Sequence, residues 1–99
     1  MSKHATPVQL EAATIMFGAL ADVQRLKLLM LLAEGNHGVS DLAAQVDEGM
    51  TTVSARLQVL YAAHLVARRR EGRNVIYSIA DEHVLTLVRN AIAHAREKH

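Results

Sequence analysis

Residues 50–84 read MTTVSARLQVLYAAHLVARRREGRNVIYSIADEHV, and a change of period inside this stretch decides the fold. Through "TTVSARLQVLYAAHL" the apolar side chains recur at helical spacing, with Val53, Leu57, Leu60 and Tyr61 on one face. After His64 the period drops to two. "LVARRR" and "NVIYSIA" are β-prone runs separated by Glu71-Gly72-Arg73, which predicts a β-hairpin with a cationic tip.

Upstream, "VSDLAAQV" predicts a short helix with Leu42, Ala43 and Val46 apolar. Asp47-Glu48-Gly49 joins it to the next helix with the length and the glycine of a helix-turn-helix corner. Val23, Leu26, Leu29, Met30 and Ala33 mark a helix over about residues 22–34, stopped by Gly35, with "EGNHG" as a loop. Thr6-Pro7-Val8-Gln9 combines a capping threonine, a proline at the first helical position and a glutamine three residues after the cap, so a first helix runs from about 7 to 19. Residues 1–6 are expected to be a flexible tail. At the other end Val84, Leu87, Val88, Ala91, Ile92 and Ala95 form the apolar stripe of a last helix. The expected fold is mainly α with a small β-hairpin, in the order α-α-α-α-β-β-α. It is a winged helix-turn-helix in a single domain of residues 1–99, and its first and last helices suit packing against each other and against a second copy.

Composition bounds the rest. Ninety-nine residues suffice for one core and not for two. There are no cysteines, which excludes disulfides, thiolate metal sites and thiol redox sensing. No apolar run is long enough to span a bilayer and "MSKHATP" has no signal-peptide character, so a cytosolic protein without a membrane partner is expected. The net charge of +1 does not announce a polyanion partner. Its distribution does: Arg68, Arg69, Arg70 and Arg73 crowd the hairpin with only Glu71 among them.

A recognition helix beginning at "TTVSARLQ" carries Thr51, Thr52, Ser54, Arg56 and Gln58, side chains that hydrogen-bond phosphates and base edges in the major groove. Arg68, Arg69, Arg70 and Arg73 would then reach backbone phosphate or the adjacent minor groove. The expected partner is double-stranded operator DNA, bound with strong salt dependence.

The stretch 50–84 resembles the ArsR/SmtB metalloregulatory repressors, whose recognition helix and wing commonly read xSxVSxHLxxLxxAxLVxxRRxGxxxxYxL. The similarity extends upstream through "ALADVQRLKLLMLLAEG" and covers nearly all of the chain beyond residue 15. It implies a dimeric repressor that binds operator DNA when metal-free and releases it on sensing an inducer. Arg56 stands where many members have His.

The last helix holds the candidate inducer site. His83 and His94 are eleven steps apart, close to three whole turns, so they share a face about 16 Å apart along the axis. One zinc ion with bonds of about 2 Å cannot reach both. An antiparallel partner helix would bring Asp81 and His83 of one chain to His94 and Glu97 of the other, making two symmetric sites that suit Zn(II) or Co(II) rather than Cu(I). The resemblance supplies the same pattern: members with a metal site on the last helix carry Asp-x-His-x10-His-x2-(His or Glu) and sense Zn(II), sometimes Co(II) or Ni(II). It also implies that His64 is an allosteric position, where a metal-bound His of the last helix donates its second ring N–H to a backbone carbonyl. A weaker signal is Ser2-Lys3-His4, which suits Cu(II) or Ni(II) if Met1 is removed, or adds His4 to the last-helix site.

Two other readings compete. In one, a metal-independent winged-helix regulator uses its last helix only to dimerise. In the other, the His/Asp/Glu set serves a hydrolytic zinc enzyme; four protein ligands leave no open position for water, so no enzyme is expected.

Overall fold

The computed structural model describes residues 4–99. Five helices and three short strands follow in the order α1 (Pro7–Leu20), α2 (Val23–Glu34), β1 (His37–Gly38), α3 (Val39–Val46), α4 (Met50–Ala62), β2 (Val66–Glu71), β3 (Asn74–Ile79) and α5 (Glu82–Lys98). This is a winged helix-turn-helix.

The helix starts are fixed by local chemistry. Thr6 caps α1: its hydroxyl accepts from the Gln9 N–H at 3.2 Å, and its own N–H donates to Gln9 Oε1 at 2.9 Å. Asp22 caps α2, accepting from the Arg25 N–H at 2.9 Å. That hydrogen bond, with the Arg25 charge, holds the Asp22 carboxyl below the ordinary carboxylate value. A carboxylate so depressed stabilises the fold at neutral pH, and its contribution is lost as pH falls through the folded value. Asp22→Asn is therefore expected to flatten the acid limb of a plot of thermal midpoint against pH; an unchanged limb would show that the cap does not titrate with folding. Arg25 also closes the end of α1, donating from Nε to the Ala19 carbonyl at 2.6 Å and from Nη2 to the Gly18 carbonyl at 3.2 Å.

Two helix ends are closed by the same device without glycine. Asp47 and His64 are the two non-glycine residues with positive φ among those described, at 55° and 62°. At His64 the backbone N–H donates to the Tyr61 carbonyl at 3.0 Å, and that of Leu65 to the Leu60 carbonyl at 3.0 Å. This is a Schellman closure, a position that favours glycine. At the other end Asp47 donates to the Ala44 carbonyl and Glu48 to that of Ala43. The helix-turn-helix corner therefore bends at Asp47. Gly49, the residue expected to make the turn, has φ −68° and serves as the N-cap of α4.

The non-glycine left-handed residue has a measurable consequence. A left-handed L-residue carries a strain of about 1–2 kcal/mol, partly offset in glycine by the entropy of its unfolded chain. His64→Gly is therefore expected to raise stability by about 0.5–1 kcal/mol, or roughly 4 °C for a domain of this size. A lower thermal midpoint at equal protein concentration would contradict the assignment.

β2 and β3 pair antiparallel from Val66 opposite Ile79 to Glu71 opposite Asn74, with Gly72 left-handed in the turn. "EGNHG" is not wholly a loop: His37 and Gly38 pair with Tyr77 and Ile76, giving the strand order β1-β3-β2. Two residues carry no periodicity, so only the tertiary arrangement reveals this strand.

Leu28, Leu29, Leu42, Val53, Leu57, Leu60 and Leu65 are the fully buried centre. The stripe expected on α2 is only partly the core face, because both faces of that helix are apolar. Leu29 is buried with Leu28 and Leu32, whereas Val23, Leu26, Met30 and Ala33 line an open cleft of about 730 Å³. Val46 of α3 and Ile92 and Arg89 of α5 form its other walls. On α5, Val84 and Val88 are buried, while Leu87, Ala91 and Ala95 are exposed. On α1, Val8, Leu10, Ile15 and Phe17 stand in solvent.

Candidate nucleic-acid interface and metal half-sites

The face built by α4 and the hairpin is concave and cationic. One groove of about 470 Å³ is lined by Ser54 and Gln58 of α4 and by Arg68, Arg69 and Arg70 of β2. A second, of about 400 Å³, shares Ser54 and continues past Ser40, Asp41, Arg73 and Asn74. Sequence reasoning missed the start of α3 and Asn74 as lining, because the pairing of β1 with β3 that brings them to the groove joins residues far apart in the chain.

The polar side chains of this face are differently committed. Thr51, Thr52 and Gln58 are exposed and Ser54 half-buried. None of them caps α4, whose N-cap Gly49 offers no side chain, so no side chain satisfies the first-turn N–H groups of α4. Arg69 is held by Glu71, with Nε 2.9 Å from Oε2. Arg68 lies over the Tyr61 ring, 3.8 Å from its centroid. A hydrogen bond to Tyr77 and the neighbouring Tyr61 hold its guanidinium above the usual arginine value, so it stays charged. Arg70 and Arg73 form no ion pair among the described residues. Asp41, the acid of the groove, is paired with His37 Nδ1.

Arg56 is placed apart from the other candidate DNA contacts. Its Nη1 donates to Glu48 Oε1 at 2.6 Å, both side chains are about three-quarters buried, and it lines neither groove. Two residues from both Ser54 and Gln58, it sits about 160° away from them round the helix.

On α5 the four expected ligands form two pairs. Asp81 is the N-cap, its Oδ1 accepting from the Val84 N–H at 3.1 Å and standing 3.4 Å from His83 Nδ1. At the other end His94 Nδ1 is 3.9 Å from Glu97 Oε2. His83, His94 and Glu97 are all largely solvent-exposed. No three His, Asp or Glu side chains converge among the described residues, and the two pairs stand apart at opposite ends of α5. Their chemistry suits a divalent ion: imidazole and carboxylate donors, unburied and without a competing arginine or lysine in an ion pair. His64 is exposed on the α4–β2 joint. His4 is exposed, and Ser2 and Lys3 of the proposed tail site lie outside the described residues.

Comparison with known proteins agrees with this architecture. Residues 22–68 match the model of the bacterial regulatory protein arsR family. The chain is 46% identical over 82% of its length to a transcriptional repressor SmtB homolog of Synechocystis, of which it covers 61%. It is 40% identical over 82% of its length to the transcriptional regulator NmtR of Mycobacterium tuberculosis, covering 68% of that protein. Its fold superposes with a TM-score of 0.88, at 35% identity, on the homodimeric winged helix-turn-helix DNA-binding domain of a possible ArsR-family regulator from Mycobacterium bovis, covering 98% of this chain and 92% of that one. The chain spans 61% to 65% of the length of the first curated relatives it matches. These relatives are named as regulators of transcription and not as enzymes, and among the described residues no helix is long and apolar enough to cross a membrane. With the helix-turn-helix, the wing and the family match in agreement, the chain belongs to the ArsR family of bacterial regulatory proteins.

Proposed function

We propose that the protein is a metal-responsive transcriptional repressor that binds operator DNA as a homodimer and releases it when Zn(II), or Co(II) or Ni(II), binds at two symmetric sites between the chains. The observation that carries this reading is the pair of half-sites on α5, Asp81–His83 and His94–Glu97, each with two donors and neither complete alone. Exposed Leu87, Ala91 and Ala95 between them, and the exposed apolar residues of α1, supply the seam against a second copy. In an antiparallel pair of α5 helices, the start of one lies beside the end of the other.

On the opposite face, the uncapped α4 N-terminus and the hydroxyls of Thr51, Thr52 and Ser54 suit a phosphate and the adjoining base edges. Gln58 enters the major groove, and the wing arginines follow the flanking backbone. Asp81 and His83 of one chain with His94 and Glu97 of the other would hold a divalent ion, which would tie the two chains together. With the ion bound, the other ring N–H of His94 would be available to the backbone near His64, which would couple α5 to the end of the reading helix. Metal and DNA become reciprocal ligands of one dimer, acting in the cytoplasm.

The test is a fluorescence anisotropy titration of a labelled duplex with the metal-free dimer, repeated with Zn(II), beside equilibrium dialysis and optical spectra of the Co(II) form. Tetrahedral Co(II) bands with loss of DNA binding support the reading. DNA binding with no bound metal would instead make α5 a dimerisation helix only.

A further inference from the structure

We propose that Arg56 is a positioning residue that sets the angle of the reading helix through Glu48, and that it does not touch DNA; the part concerning DNA rests on the function proposed above. Glu48 follows the left-handed Asp47, and the closure of α3 fixes its backbone, with the Glu48 N–H on the Ala43 carbonyl at 3.1 Å. Its carboxylate then meets the Arg56 guanidinium at 2.6 Å, two turns into α4. The bond spans the corner whose angle decides where α4 points.

The surroundings argue for a brace rather than a reader. Both side chains are mostly buried, where a charge-assisted hydrogen bond is stronger than at the surface and breaking one partner leaves the other uncompensated. Arg56 lies on the opposite flank of α4 from Ser54 and Gln58, the residues that share a groove with the wing. Its charge also reaches back to α2, where it helps keep the Asp22 carboxylate ionised. Asp22 and Arg25 in turn fix the last carbonyls of α1. Thus two braces stand side by side: Arg25 and Asp22 tie the end of α1 to the start of α2, and Arg56 and Glu48 tie the corner to α4.

The test compares Glu48→Gln, Arg56→Gln and the double variant with the wild type, on a duplex selected from a randomised pool by the wild-type protein. A positioning role predicts that each single variant loses about tenfold in affinity, that the double variant loses no more than either, and that the slope of log K against log salt is unchanged. A phosphate contact by Arg56 predicts a slope shallower by about 0.9 in Arg56→Gln and no loss in Glu48→Gln; either result overturns the proposal. Amide hydrogen exchange provides a reading that needs no DNA. Exchange at Glu48 and Val53 should quicken at least about fivefold in both single variants and not in Thr51→Ala. Unchanged exchange there overturns the brace. If the wild type binds no duplex, the proposed function fails while exchange alone still decides the brace. Should Arg56→Gln prove unfolded by circular dichroism, Glu48→Gln carries both measurements.

Discussion

Replacing His94 with Asn is expected to abolish zinc-driven release of duplex DNA while leaving the metal-free complex intact. His94 is largely exposed at the end of α5 and contributes nothing to the buried core, so the substitution removes a ligand without removing packing. It deletes one of two imidazoles from each proposed site and, with it, the N–H intended for the backbone near His64. Coupling between two ligands of one protein is typically about 1–3 kcal/mol, so zinc should weaken wild-type DNA binding by about 5- to 150-fold and the variant by almost nothing. His99→Asn, beyond the half-site, is the control and should respond like the wild type. Undiminished zinc-driven release from the His94→Asn variant in an anisotropy titration would remove α5 from the switch.

The second large effect concerns the wing. Arg70 and Arg73 have no ion pair among the described residues, whereas Arg69 is already neutralised by Glu71. The double variant Arg70→Ala/Arg73→Ala should therefore lose two phosphate contacts, lowering the salt slope by about 1.8. Between 50 and 200 mM salt the wild type would then weaken by about twelvefold more than the variant, from the same slope. Arg69→Ala should change the slope much less. An identical slope in the double variant and the wild type would mean that the wing does not follow the DNA backbone.

Local chemistry made most of the fold legible. The capping box at Thr6 and Gln9, the change of period at His64 and the Gly72 turn each act within a few residues, and each appears as read. What escaped depends on distance along the chain. β1 exists because α2 delivers two residues alongside β3, and nothing in His37-Gly38 itself encodes a strand. On α2 the apolar spacing is compatible with two faces, so sequence alone does not say which turns inward; Leu28, Leu29 and Leu32 do.

The candidate site divides along the same line. The spacing of Asp81, His83, His94 and Glu97 stated their two pairs at opposite ends of α5, because helical geometry converts residue number into position directly. The Arg56–Glu48 pair was not legible, because a cation on a reading helix suggests phosphate and its carboxylate partner lies eight residues upstream, across a bend. The corner was assigned to its glycine, yet the left-handed residue is Asp47. A short polar side chain tolerates that conformation, so composition alone did not separate the two positions.

The second apolar face of α2, opening on the cleft with Val46 and Ile92, together with bare Phe17, Ile15 and Leu87, leaves a single copy with much of its hydrophobic surface wet. When such surface is covered only by self-association, the folded state is favoured by mass action. Under the proposed function, abundance would then be an input alongside metal: dilution would loosen the dimer, and the number of copies in the cell would set how firmly it holds its shape before any ion arrives.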